Sequence, residues 1–391
     1  MTKRVPEIRF EGFTDDWEQC KVRELFTVTR GQVLAATKTK DKETDEFIYP
    51  VYSSQTKNNG LMGFYNQYLF ENAITWTTDG ANAGTVNFRK GKFYSTNVNG
   101  VLLSDKGYAN KAISEIINKI AWKHVSKVGN PKLMNNIMSE ITIMIPSIEE
   151  LNKISILFNQ IDNTIALHQR KLEQLQSMKD GFLQKMFPID GEKEPEIRFP
   201  GFTDDWEQRK FEDGTSKIGD GLHGTPEYTE NGEVAFINGN NLVNGKIVIN
   251  DQTKFVTSGQ QSRADAELNE NTMLMSINGT IGNLAWYRGE KLMLGKSAAY
   301  IEVKSFHKKF IYQLLQTHKI RNYFLNNLTG TTIKNLGLKT IRETPILIPK
   351  LDEQQKIGSF FERLDDTIAL HQRELELLKQ TKKAFLQKMF V

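Results

Sequence analysis

Apolar positions recur at spacings of three and four along two long stretches, Ile145 to Phe187 and Ile348 to Phe390. In the first the recurring positions are Ile154, Phe158, Ile161, Ile165, His168, Leu172, Leu175, Lys179, Phe182 and Met186. In the second they are Ile357, Phe361, Leu364, Ile368, His371, Leu375, Leu378, Lys382, Phe385 and Met389. This is the seam of a paired helix, interrupted by a histidine and a lysine at the same places in each copy. The copies are nearly the same text, IDNTIALHQRKLEQLQSMKDGFLQKMF against LDDTIALHQRELELLKQTKKAFLQKMF. Pro146 and Pro349 mark where each helix begins, because proline suits a first turn and not an interior. A helix of roughly 35 to 40 residues spans about 55 Å and cannot bury such a stripe against itself. Docking on a globular core would explain one copy; two matched copies predict that the helices pair with each other.

A second repeat sets their direction. PEIRFEGFTDDWEQCK (Pro6 to Lys21) returns as PEIRFPGFTDDWEQRK (Pro195 to Lys210), so each half reads opening motif, variable region, long helix. Halves related by a two-fold axis require antiparallel helices, one variable region at each end, and a C-terminus that returns to the first opening motif.

The variable regions alternate short apolar runs with Gly, Asn and Asp, as in AITWTTDGANAGTVNF and KFYSTNVNGVLL, which predicts strands and turns. Ala109 to His124 has helical spacing, and so does His307 to Leu325. A polar loop and a short strand, Glu140 to Ile145 in the first half, lead into each long helix. The expected fold class is α+β: two mixed α/β domains separated by an antiparallel coiled coil of two long helices, in a pseudo-two-fold repeat. The expected divisions are 1–144 (opening motif and first domain), 145–187 (first long helix), 188–194 (linker), 195–347 (second motif and domain) and 348–391 (second long helix).

At 391 residues and 39% hydrophobic content the chain has room for two or three domains with real cores. No stretch approaches the roughly 18 apolar residues of a membrane span, and MTKRVPEIRF carries no apolar signal region. The lone Cys20, replaced by Arg209 in the second copy, excludes a disulfide framework and implies a reducing, cytoplasmic setting. Net charge is +4, unevenly spread: Val22 to Met144 holds 15 Lys+Arg against 10 Asp+Glu, Phe211 to Leu347 15 against 13, and the remainder 21 against 24. The variable regions are the positive part, which favours a nucleic-acid partner modestly, since a solvated mixed-charge surface also explains it.

Catalytic motifs fail on context. Gly219, Gly221 and Gly224 spell GxGxxG, but Thr225 and Pro226 follow and no helix opens there. GEKLMLGKS (Gly289 to Ser297) has one residue too many for a phosphate-binding loop. The histidines lack metal spacing, and pairing across the seam accounts for His168 and His371 better than ligation. No active site and no metal site are expected.

What remains is contact chemistry in polar loops. Amides bond bidentately to adenine, Arg and Lys to guanine, and hydroxyls to phosphate. The first region offers Thr78, Asn82, Arg89, Lys90, Lys92, Asn97, Lys132, Asn135 and Asn136. The second offers His223, Thr225, Tyr228, Asn240, Asn278, Thr280, Lys296, Thr331, Thr332, Lys334 and Asn335. Each alone is more often an ordinary turn; only recurrence at matching places in both regions makes contact a competing reading. Two heads held tens of Å apart suit two unlike half-sites about one duplex turn (34 Å) or more apart.

Through the paired opening motifs, the IALHQR-to-FLQKMF helices, the GDGLHGTPEY string and the exits NPKLMNNIMSEITIMIP and GTTIKNLGLKTIRETPILIP, the whole chain resembles the specificity subunit of type I restriction-modification systems. That resemblance implies two target recognition domains, and a non-catalytic subunit that binds an asymmetric bipartite sequence in double-stranded DNA. It further implies assembly with two modification subunits, which methylate adenine with S-adenosylmethionine, and with restriction subunits that use ATP and Mg. Those cofactors belong to the partners. Ile156, Leu167, Leu183, Leu370, Leu377 and Leu386 lie off the main seam and are expected to face partner helices, or to pack loosely within the pair. A two-headed protein-binding adaptor without DNA specificity is the alternative, which binding to a bipartite DNA site would exclude.

Overall fold

The computed structural model describes residues 5–54, 57–189, 191–332 and 334–391. The first four residues of the expected 1–144 domain, Asp190 of the linker and Ile333 of the second exit loop lie outside the described residues. Compactness divides the chain into one unit of Met1–Arg170 with Arg373–Val391 and another of Lys171–Gln372. Both divisions fall inside the long helices, so compact units and sequence order do not coincide. Each unit owns one opening motif, one sheet domain and part of each long helix.

In unit 1 six strands form one sheet, in the order Thr27–Arg30, Asn99–Leu103, Phe70–Thr77, Val86–Ser95, Tyr49–Tyr52, Leu61–Tyr65. The first four are antiparallel neighbours, and Tyr49–Tyr52 joins the far end of Val86–Ser95 in parallel. In unit 2 the same four-strand order recurs as Thr215–Asp220, Ala298–Val303, Thr272–Ser276, Leu284–Trp286. The counterpart of the long strand is split there, and its second piece, Leu292–Leu294, pairs in parallel with Val234–Ile237 in a separate sheet. Low sequence similarity thus hides one topology used twice.

Each opening motif ends in a strand laid antiparallel on the exit strand before a long helix. Glu18–Lys21 pairs with Thr142–Ile145 in unit 1, and Glu207–Lys210 with Pro345–Ile348 in unit 2. Arg9 clamps Glu150 through two bonds of 2.8 Å, and Arg198 clamps Glu353 at 2.8 and 2.9 Å. Both carboxylates are fully buried, so each charge persists only because its guanidinium is fixed beside it. Trp17 and Trp206 are buried at the matching place.

The long helices are Ile148–Lys185 and Leu351–Lys388, each 38 residues, beginning just after the proline that precedes them. Within unit 1, Phe158 stacks on Phe390 (5.5 Å), Lys382 pairs with Asp162 (2.7 Å) and His168 meets Glu374 (3.3 Å). Rising numbers on one helix meet falling numbers on the other, so the pairing is antiparallel. Within unit 2, Leu175, Leu364 and Ile368 form an apolar cluster with Leu172 and Phe182, Lys179 pairs with Asp365 (2.7 Å), and Phe182 meets Phe360 edge-on (5.0 Å). The lysines that interrupt each seam are therefore ion-pair positions. Ile154, Phe158, Ile161, Leu175, Ile357, Phe361, Leu364, Ile368 and Leu375 are buried, while Ile165, His168, Leu172, Phe182, His371, Leu378 and Phe385 are half-buried.

Local differences from the sequence expectation have plain causes. The helix expected over His307 to Leu325 is two, Lys308–Leu314 and His318–Asn326. Thr317 breaks it by adopting the extended conformation of an N-cap, and its hydroxyl donates to Leu314 O. Glu140 ends a short helix, Asn135–Glu140, so the exit strand is only Thr142–Ile145. No helix among the described residues is long and apolar enough to cross a membrane.

Candidate nucleic-acid interface

Most of the loops singled out from sequence converge, within each unit, at one end of the four-strand sheet. In unit 1 the turn after Phe70–Thr77, the turn after Val86–Ser95 and the exit loop are stitched by backbone bonds. Thr78 N donates to Val98 O (3.0 Å), Leu133 N to Thr78 O (2.8 Å) and Gly80 N to Pro131 O (3.0 Å). Isolated bridges join Asp79 to Lys132 and Ser126 to Lys132. In unit 2 Ile277 N donates to Ser297 O (2.9 Å) and Leu336 N to Ile277 O (2.8 Å), with bridges from Asn278 and Thr329 to Asn335. The same frame thus presents different side chains in the two units.

A further side of each cluster was not singled out from sequence. Gln32 bridges Thr96 in unit 1, and Leu222 bridges Gly295 in unit 2. The preceding glycine allows this approach, because a Cβ at Gly31 would lie 2.2 Å from Ser95 O and one at Gly221 only 2.1 Å from Leu294 O. The signal was in the GxGxxG string, whose glycine serves strand contact rather than a dinucleotide.

Most candidate side chains lie on these clusters. In unit 1 Asn97, Lys132 and Asn136 are exposed, and Asn82 and Asn135 are half-buried. Asn135 Nδ2 donates to Thr29 O (3.3 Å), and Lys132 lies 3.7 Å from Asp79, which holds the exit loop. Thr78 is buried, and its hydroxyl faces Val98 O at 2.9 Å and Asp79 at 2.8 Å, so it braces the loop. In unit 2 His223, Thr225, Tyr228, Asn240, Thr280, Lys296, Thr331, Thr332 and Lys334 are exposed; Asn278 and Asn335 are half-buried. His223 Nε2 is 2.8 Å from Asp220, and Asn278 Nδ2 donates to Lys296 O (3.3 Å). Among the described residues Lys296 and Lys334 have no carboxylate partner.

Arg89, Lys90 and Lys92 are not brought into the cluster by these bonds. Arg89 is 7% exposed: its Nε donates to Thr75 Oγ1 (3.0 Å), its Nη2 to Asn59 O (2.7 Å), and its guanidinium lies 3.8 Å from the Tyr52 ring centroid. Burial pushes it down to about 10 despite the Tyr52 contact. This arginine is an internal brace. Lys90 and Lys92 are exposed on the strand beside the bulge opposite Asn72, with Lys92 Nζ 4.7 Å from the Tyr68 centroid.

Of the off-seam apolar residues, Ile156, Leu167, Leu370 and Leu377 are 55 to 63% exposed. Leu183 and Leu386 are corrected: Leu183 is buried in the unit 2 core and Leu386 packs on the unit 1 core, because the sheet domains cover the last turns of both helices.

The fold is thus one mixed sheet domain used twice, each copy with a polar loop cluster of its own, together with two paired long helices. The family described as type I restriction modification DNA specificity domain matches twice, at residues 14–177 and 203–380, and the chain belongs to that family. It is similar to a putative type I specificity subunit of Mycoplasma pneumoniae, 23% identical over 388 residues covering 95% of this chain and 96% of that one. It is also similar to the MjaVIII specificity subunit of Methanocaldococcus jannaschii, 22% identical over 408 residues, covering 98% and 92%. The crystal structure of a type I S subunit from M. genitalium shares the fold, with TM-score 0.71 at 16% identity over 99% of both chains. A chain from a structure described as the basis of complex assembly and conformational transition of the type I R-M system gives a TM-score of 0.52 at 15% identity over 96% and 97%.

Proposed function

We propose that this chain supplies sequence recognition and no chemistry to a type I restriction-modification complex. Each unit's loop cluster reads one half of an asymmetric bipartite DNA target, and the paired helices fix the unread spacer. One observation carries this reading: the two clusters share strand order and stitching bonds but present different side chains, as two readers of two sequences require. Exposed side chains on the clusters, Asn97, Lys132 and Asn136 in unit 1 and His223, Asn240, Lys296 and Lys334 in unit 2, supply amide and cationic contacts to bases and phosphates. The exposed apolar residues of the long helices dock two modification subunits, and restriction subunits join that core. S-adenosylmethionine, ATP and Mg serve those partners, and the complex acts in the cytoplasm.

The test is long-read mapping of methylated adenines in cells carrying the modification subunit with and without this chain. A bipartite motif dependent on the chain is expected. Exchanging Val22 to Met144 for a relative's region should then alter one half of it. Absence of a motif from a complex shown to assemble would overturn the reading in favour of a protein-binding adaptor.

A further inference from the structure

Beside the unit 2 loop cluster lies a recess of about 250 Å³ walled by Tyr228 and Phe236, whose rings meet edge-on at 5.7 Å. It adjoins the Lys296 turn directly. The Ser297 hydroxyl donates to Asn238 Oδ1 (2.9 Å) and accepts from Gly239 N (2.9 Å). Five amide side chains line the recess, and they divide into two kinds.

Three amides help to hold its shape through their carbonyl oxygens. Asn238 Oδ1 accepts from Ser297. Asn241 Oδ1 accepts from Asn238 N (3.0 Å) while its Nδ2 donates to Val248 O (3.0 Å). Asn250 Oδ1 accepts from Gln252 N (3.0 Å). These are the turn-forming roles that asparagine fills anywhere. Asn240 and Gln252 differ: both are exposed, and neither side chain makes a hydrogen bond among the described residues. Two free amides therefore face a preformed, aromatic-walled recess, with exposed Lys254 on the same lining.

A planar amide offers one donor and one acceptor side by side, the complement of the N7 acceptor and N6 donor of adenine in the major groove. Three amides already fixed in the frame leave little ordering to be done on binding. We propose that this recess reads base edges in the half-site taken by unit 2, with Asn240 and Gln252 recognising adenine and Lys254 holding an adjacent phosphate. The proposal rests on the DNA-reading function above and narrows it to named side chains. Gln252 and Lys254 lie outside the polar runs that the sequence singles out.

The experiment maps methylated adenines in cells that express the modification subunit with wild-type chain, Asn240→Ala, Gln252→Ala, or the isosteric Asn240→Asp and Gln252→Glu. Copurification with the modification subunit and thermal melting accompany each variant. Each alanine variant is expected to make an adenine position in one half degenerate, with discrimination there reduced about tenfold or more, while the other half and the spacer stay unchanged. The isosteric variants preserve shape, remove the donor and should lose the same position even if an alanine variant misfolds. Lys254→Ala should weaken binding on all sequences alike. An unchanged motif in every amide variant beside a normal wild-type motif overturns the pocket and leaves the wider function standing. Equal loss in both halves with assembly intact also overturns it. No motif from an assembled wild-type complex overturns both together.

Discussion

Trp17 meets Phe390 edge-on, ring centroids 6.4 Å apart at 71°, so the first opening motif and the end of the chain share one core. Ile8 N donates to Lys388 O (3.0 Å) beside them. Unit 2 repeats the junction, with Trp206 against Phe187 at 6.0 Å and 83°, and Ile197 N donating to Lys185 O (2.8 Å). In unit 2 a short covalent linker follows; in unit 1 the ring contact and the backbone bond close the junction without one. Phe390→Ala should therefore destabilise unit 1 by about 3–5 kcal/mol, the usual cost of emptying an aromatic site in a core. Denaturant unfolding would show a lowered midpoint, and a midpoint unchanged from wild type would mean the junction is not structural.

The Arg9–Glu150 and Arg198–Glu353 clamps predict an asymmetry between breaking and replacing. Glu150→Gln leaves the guanidinium without its counter-charge and should cost about 3–5 kcal/mol, whereas Arg9→Met with Glu150→Met should cost much less. Thermal melting of the single and double variants measures the difference directly.

Arg89 separates a structural from a reading role. Arg89→Ala empties a site bounded by Tyr52, Thr75 and Asn59, and unit 1 should lose about 1–3 kcal/mol from the orphaned partners. The recognised motif should not change at temperatures where the variant is folded. A new base preference in methylation mapping would contradict the internal placement.

Asp162 gives the helix pair a pH dependence. Burial raises its pKa, but the hydrogen bonds and charges of Lys111 and Lys382 outweigh this and hold it below the ordinary carboxylate range. A carboxylate depressed in the folded state contributes stability that is full above its unfolded pKa and is lost as pH falls through the folded value. Unit 1 should weaken on acidification from about pH 4 downwards. Asp162→Asn should remove part of that dependence, which unfolding curves over a pH series would resolve.

Leu167 and Leu370 are 59% and 55% exposed, so a charge there costs the isolated chain little. Leu167→Glu and Leu370→Glu should keep the wild-type melting temperature and weaken binding of the modification subunit about tenfold or more, as loss of an interface anchor does. Calorimetric titration against that subunit is the check, and unchanged affinity would place the docking surface elsewhere.

The sequence by itself determined what is periodic or repeated. The 3,4 spacing and the duplicated text fixed two long helices, their antiparallel sense and the duplicated plan, because a seam must be buried and the same text folds the same way twice. The polar loops were legible as turns, since Asn, Gly and Thr favour turns whatever they later contact. Composition cannot say which turns converge. Only the tertiary structure decided that the loops at 78–84, 95–99 and 126–136 meet, that one strand order underlies both sheet domains, and that the compact units cut through the long helices. It also turned Arg89 inward, buried Leu183 and packed the half-buried Leu386 on a core. It separated the amides of the unit 2 recess into three that brace the frame and two without a hydrogen bond among the described residues. The physical reason is common to all of these: burial and hydrogen-bond partners come from residues distant in sequence, and no local pattern encodes them.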